Sequence, residues 1–182
     1  DRSFFVDYDP GHWANPYFSV LVNKGVLVAE KNGKIHPGRA IDRGQFVEMI
    51  VRLLHDGIVP EYTGNSLFSD MKKEAPFFDS VHFLAKKGII KGYADKTFRP
   101  YLSLSRAEAV KILLSALEIS PLKLTENAEP IFSDTTGWER SWVETAHQQG
   151  LVSGYADETF KPHEPLSRAG AAKLLVESGV GE

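Results

Sequence analysis

The sequence predicts an all-α protein made of three helix–loop–helix repeats, on three observations. Phe5-Val6-Asp7, Phe68-Ser69-Asp70 and Phe132-Ser133-Asp134 open three segments at nearly equal spacing. Each segment holds two short stretches whose apolar residues recur at helical period, not at the alternation of a strand. Every second stretch starts with an oxygen-bearing side chain followed by arginine: Asp42-Arg43, Ser105-Arg106 and Ser167-Arg168. A repeat outweighs any single motif, because it fixes architecture and says where equivalent sites recur.

The first helix of copy one is expected from near Pro16 to Lys24, with Phe18, Leu21 and Val22 on one face. Val81, Leu84 and Ala85 match them in copy two, and Val143, Ala146 and His147 in copy three. Gly25, Gly88 and Gly150 follow, where a helix needs a left-handed residue to stop. A turn-rich loop comes next. Copies two and three read Gly92-Tyr93-Ala94-Asp95-Lys96-Thr97-Phe98-Arg99-Pro100 and Gly154-Tyr155-Ala156-Asp157-Glu158-Thr159-Phe160-Lys161-Pro162. Copy one departs, with Ala29-Glu30-Lys31-Asn32-Gly33-Lys34-Ile35-His36-Pro37. Asp95 and Asp157 suit Asx-turns, and Ile35, Phe98 and Phe160 are expected as buried plugs. The second helices carry Phe46, Met49, Ile50, Leu53 and Leu54, then Val110, Leu113, Leu114 and Leu117, then Ala172, Leu175 and Val176.

Segments around 55–67 and 118–131 carry Gly, Pro, Asn and Thr and separate the copies, giving repeats 1–60, 61–125 and 126–182. Two short helices bury too little apolar surface alone, so the copies must share one core. A closed pseudo-threefold assembly is expected in preference to an open stack. With 182 residues, 42% apolar and 25% charged, the composition is that of an ordinary globular protein. The net charge of −3 argues against nucleic acid as a partner. The absence of cysteine excludes disulfides, thiolate zinc sites and cysteine nucleophiles. No apolar run approaches the roughly 18 residues of a membrane helix, so no membrane partner is expected. No signal peptide is recognisable, and the chain is expected to be a processed or excised piece.

The arginines lack a local explanation. Ser105 with Glu108, and Asp42 with Gln45, fit capping boxes; Ser167 keeps the cap while Gly170 cannot return the bond. Arginine at the first helical position places a cation at the positive end of the dipole, unfavourable by about 0.3–1 kcal/mol. A cation beside unpaired backbone N–H groups makes a site for a carboxylate or phosphate. The alternative is an ion pair within the fold, to Asp7, Asp70 or Asp134. The two are compatible.

Phe-x-Asp, the aromatic-led first helix, the Gly-Tyr-x-Asp loop and the Ser-Arg-Ala-Glu helix start together resemble the S-layer homology (SLH) domain. The resemblance spans three tandem motifs over nearly the whole chain, closest in copies two and three. It implies an all-helical pseudo-trimer around a central three-helix bundle, with grooves between lobes. It also implies non-covalent anchoring of a surface protein to secondary cell-wall polysaccharide, often through a pyruvate ketal on an amino sugar. The location implied is the cell surface or wall of a bacterium. The fragment itself is expected to be monomeric, while the parent protein could self-assemble.

Carried onto this chain, the ligand-binding residues are Arg43, Arg106 and Arg168, with Gly92, Tyr93, Asp95, Gly154, Tyr155 and Asp157 of the loops. Glycine there would let backbone N–H groups approach a sugar. Trp13 and Trp138 hold matching positions where copy two has Pro76, and Trp142 falls where copy one has Tyr17; these aromatics either stack on sugar or fill core. Ala29 and Glu30 replace Gly-Tyr in copy one, so its groove is expected to be weak, with Glu30 repelling an anionic glycan. Arg106 is the residue expected to matter most. An enzyme is not expected, because His12, His36, His55, His82, His147 and His163 share no repeat register and read as surface or loop residues. No cofactor or metal is expected, since the alternating carboxylates of a calcium loop are absent. A protein-interaction module of the same fold, with glycan binding lost, is the remaining alternative.

Overall fold

The computed structural model describes residues 5–7, 9–28, 30, 32–125 and 127–179; Ala29 lies outside them. Among the described residues there are six helices and no strand: α1 (Asn15–Asn23), α2 (Arg43–Leu54), α3 (Phe78–Lys86), α4 (Arg106–Ala116), α5 (Arg140–Gln148) and α6 (Arg168–Glu177). None is long and apolar enough to cross a membrane. Gly25, Gly88 and Gly150 have φ of +67°, +75° and +74°, the left-handed stop expected of them.

The helices do not pack mainly within their own copy. Each first helix lies against the second helix of the copy before it: α3 on α2, α5 on α4, and α1 on α6. That last contact closes the chain on itself. A second closed circuit runs through the backbone just ahead of the second helices. Ile41 N–H donates to Leu166 O at 2.8 Å, Leu166 N–H to Leu104 O at 2.8 Å, and Leu104 N–H to Ile41 O at 3.0 Å. The side chains of all three are buried, so the circuit sits inside the core rather than on it. No copy satisfies its own polar backbone there, which is why the copies are interdependent.

The plugs are where the repeat places them. Phe98 and Phe160 are wholly buried against Phe68 and Phe132, the residues that open their copies, and Ile35 is nearly so. Burying such a side chain contributes about 1.5–3 kcal/mol, enough to hold an otherwise polar loop down. His82 corrects the surface assignment of the histidines. It is fully buried on α3, with Nδ1 2.7 Å from Phe78 O and Nε2 accepting from Leu67 N–H at 3.0 Å. In copy three the buried Glu144 takes the same part, accepting from Ile131 N–H at 3.2 Å. These two side chains strap the linkers to the first helices that follow them.

Candidate functional site

Each loop is gripped from two sides at its plug. Asp134 accepts from the N–H groups of Phe160 and Lys161, both at 2.8 Å. Asp70 does the same for Phe98 and Arg99, and Asp7 for Ile35 and His36, again at 2.8 Å. Burial raises the Asp7 carboxyl's affinity for a proton, and the two N–H donors outweigh it, so its pKa falls below 3.8. The carbonyl of the same plug faces the arginine of the preceding copy: Arg43 Nε to Phe98 O at 3.3 Å, Arg106 Nε to Phe160 O at 2.9 Å, Arg168 Nε to Ile35 O at 2.5 Å. The aspartate and the arginine therefore hold opposite ends of one residue. The alternative Arg–Asp ion pair does not form among the described residues, because the plug's backbone stands between the two side chains; Arg43 instead stands 3.7 Å from a different carboxylate, Glu108.

The helix starts also differ from expectation. The first two N–H groups of each second helix are taken by carbonyls of the following copy's loop. For α4 these are Arg106 N–H to Glu164 O at 2.9 Å and Ala107 N–H to Pro162 O at 3.0 Å, and α2 and α6 repeat the pattern. The dipole end is thus filled by protein, and an anion cannot use those donors. The capping box forms at Ser105 and Glu108, but Asp42 makes no cap bond. Its partner in the expected box, Gln45, instead turns to Arg168.

A groove lies beside each arginine. The Arg106 groove, about 410 Å³, lies between α4, the copy-three loop and α6, and Trp13 of copy one closes it. Its lining includes Tyr155 and Lys173 and, among the described residues, no carboxylate. The Arg43 groove, also about 410 Å³, is lined by Lys91, Lys111, Glu108 and Trp138. The Arg168 groove is only about 180 Å³ and includes Glu30, Gln45, Glu48, Arg52 and Phe77. So every groove takes its arginine from one copy, its loop and facing helix from the next, and its aromatic from the third.

The arginines are unequal within these grooves. Arg106 keeps its terminal nitrogens without a protein partner among the described residues, and its guanidinium lies over Tyr155 and Phe160 at 5.2 and 4.6 Å. No buried side-chain nitrogen or oxygen is unpaired among the described residues, so those terminal nitrogens face solvent. Arg43 is buried and stands 3.7 Å from Glu108 Oε1. Arg168 is buried and donates through Nη1 to Gln45 Oε1 at 2.8 Å, and burial lowers its pKa from the ordinary arginine value.

Several loop residues have local duties. Asp95 and Asp157 close Asx-turns onto Thr97 and Thr159 and lie outside the linings of the three grooves. The Thr97 hydroxyl, with the Thr97 N–H and Arg99 behind it, lowers the Asp95 pKa to about 2. Gly92 and Gly154 are needed by the fold itself, and Gly154 also lines the Arg106 groove. A Cβ at Gly92 would sit 2.6 Å from both Phe68 and Thr97 O, and one at Gly154 would collide with Phe132. Tyr155 is half-exposed between Arg106 and Lys161. Tyr93 lies between Arg43 and Arg99, at 5.2 and 4.2 Å. Copy one builds the same turn with Asn32 accepting from Lys34 N–H, and puts Glu30 at the tyrosine's place, paired with Arg39 at 3.0 Å. Trp13 and Trp138 are half-exposed, whereas Trp142 is packed against the core beneath Lys111.

Sequence reasoning missed Phe77, Lys111 and Lys173. Phe77, not Pro76, is the aromatic of copy two's contribution. Lys111 and Lys173 stand five residues after Arg106 and Arg168, where copy one has Glu48. The repeat register contained that signal. Its meaning depends on which copies face one another.

The sequence profile of the S-layer homology domain matches residues 4–47, 67–110 and 131–172, the three structural copies. The chain belongs to the S-layer homology domain family. Among curated SLH-bearing relatives, an amylopullulanase of Thermoanaerobacterium thermosulfurigenes is 29% identical over 168 residues, covering 90% of this chain and 9% of that protein. The surface-layer 125 kDa protein of Lysinibacillus sphaericus is 29% identical over 152 residues, 81% of this chain and 12% of that one. A cellulosome-anchoring protein of Acetivibrio thermocellus is 26% identical over 149 residues, 80% and 33% respectively. The SLH chain therefore spans a third or less of these relatives' lengths.

Proposed function

We propose that this SLH unit anchors a bacterial surface protein to the cell wall non-covalently, by binding an acidic wall polysaccharide in its grooves. The observation that carries the reading is Arg106: Nε is pinned by the fold, while the terminal nitrogens face a groove of about 410 Å³ with no carboxylate among its described lining residues. A guanidinium held that way suits the fork of a carboxylate, such as a pyruvate ketal on an amino sugar. Tyr155 and Trp13 supply aromatic faces for the sugar ring beside it. The names of the relatives, surface-layer and cellulosome-anchoring proteins, point the same way. The role is binding rather than catalysis, in keeping with histidines that sit apart in core, loops and helix ends.

Co-sedimentation with purified sacculi tests this, before and after removal of the secondary polymer or mild-acid loss of its ketals. Binding is expected to require the acidic polymer. A charge-assisted bond of about 1.5–3 kcal/mol corresponds to roughly a 10- to 100-fold weakening in Arg106→Ala. Lys173→Ala is the companion variant, because among the described residues Lys173 pairs with Glu177 alone, at 3.8 Å, and the fold does not lean on it. Binding that persists in both variants would sink the groove assignment. Failure to bind any sacculus preparation would favour the protein-interaction alternative.

A further inference from the structure

The three grooves differ at one position in a way that suggests a gate. Each sets the arginine of one copy against the second helix of the next, and the residue two places after that helix's own arginine shares the groove. Arg168 meets Gln45, which accepts from Nη1 at 2.8 Å. Arg43 meets Glu108, whose Oε1 is 3.7 Å from Nη1 while Oε2 serves the capping box. Arg106 meets Gly170, which has no side chain to offer.

We infer that this position is the specificity gate of the grooves, and that Gly170 makes the Arg106 groove the preferred carboxylate site of the molecule. The inference rests on the carboxylate-binding reading above. A carboxylate docking on a guanidinium must compete with any acceptor already there. Glutamine occupies a terminal nitrogen and closes the site. Glutamate occupies it less well but adds like-charge repulsion against the ligand. Glycine does neither. The departure of copy three from Ser-Arg-Ala-Glu, which weakens its helix start, is thereby given a purpose. Glutamate at the position would rebuild the capping box that Ser105 and Glu108 form in copy two.

The test uses Gly170→Glu with Gly170→Ala as its steric control, since a Cβ there comes 2.8 Å from the end of the Leu166 side chain. Arginine side-chain ¹⁵N resonances are followed on the intact chain during titration with acetate as the bare carboxylate. In the wild type Arg106 is expected to respond and Arg168 to stay silent. Gly170→Ala should keep the response and Gly170→Glu should abolish it, with a melting temperature no lower than that of Gly170→Ala. Glu108→Gly should create a response at Arg43. On sacculi, Gly170→Glu should weaken binding at least tenfold. If Gly170→Glu keeps both the acetate response and sacculus binding while Arg106→Ala loses binding, the gate is wrong and the groove assignment stands. If Arg106→Ala binds sacculi as well as wild type, the assignment falls, and the acetate response alone then decides the gate.

Discussion

The Arg106 and Arg168 grooves are assembled from equivalent positions, yet one is open and cationic and the other small and self-neutralised. In the first, Gly170, Lys173 and Tyr155 surround the arginine; in the second, Gln45, Glu48 and Glu30 stand at the corresponding places. Both arginines do the same structural work on a plug carbonyl. The comparison sets the clamp apart from the proposed ligand site within one side chain. The clamp uses Nε, and the site uses whatever the neighbouring copy leaves of the rest.

The comparison breaks most directly at the arginines themselves. Arg168→Ala removes a buried cation, its bond to Gln45 and the donor for Ile35 O, and is expected to destabilise by about 3 kcal/mol or more in urea unfolding, with sacculus binding retained. Arg106→Ala is expected to cost about 1–2 kcal/mol and to lose binding. Equal stability losses in the two variants would mean that clamp and site are not separable.

An effect smaller than that of Arg168→Ala is expected at the loop glycines. Gly154→Ala drives a methyl into Phe132 and toward Thr159 O, for a loss of about 1–3 kcal/mol and a displaced Tyr155. Gly150→Ala, with open space around it and only the left-handed backbone to strain, should cost about 1–2 kcal/mol. Copy one carries Ala29 at the position of Gly154 in its repeat. A cost-free Gly154→Ala would show that the copy-three loop tolerates the copy-one residue, leaving Glu30 and Gln45 as the difference between the grooves. Binding assays on the same variant would show whether Tyr155 has moved.

The smallest effect separates the loops by pH. The Thr159 hydroxyl, chiefly, lowers the Asp157 pKa below its ordinary 3.8, so the contribution of its turn is complete above about pH 4 and lost as pH falls through the lowered value. Asp95 in copy two behaves alike, with its window closing near its pKa of about 2. Asn32 makes the same turn in copy one and carries no titrating proton. Amide exchange at Thr159 and Thr97 should rise on acidification from pH 4 toward 2 while that at Lys34 shows no such step. A parallel step at Lys34 would mean the turns respond to general unfolding instead.

Much of the fold was legible because its signals are local. The helical period, the glycine stops and the apolar plugs at 35, 98 and 160 depend on residues within one copy. Two of the three caps were legible for the same reason: Ser105 and Ser167 each accept from the N–H three residues on. Asp42 and Gln45 have that spacing too, but Gln45 finds a charged partner in another copy and the box does not form. His82 looked like surface because one histidine in a nine-residue helix carries no period. The linker that buries it is read only once it is seen to fold back. The Phe-x-Asp aspartate and the arginine were both singled out, and their shared object, a plug's backbone, was not visible in either motif.

By itself the sequence determined three all-helical copies, the arginine in each, and the departure of copy one's loop from the other two. These follow from side-chain pattern along the chain, where neighbours are given by number. Which arginine stays open was decided by tertiary structure alone. Closure of the ring sets Arg106 against Gly170, Arg43 against Glu108 and Arg168 against Gln45, and a guanidinium's free hydrogen bonds are whatever its spatial neighbour, not its sequence neighbour, leaves unclaimed.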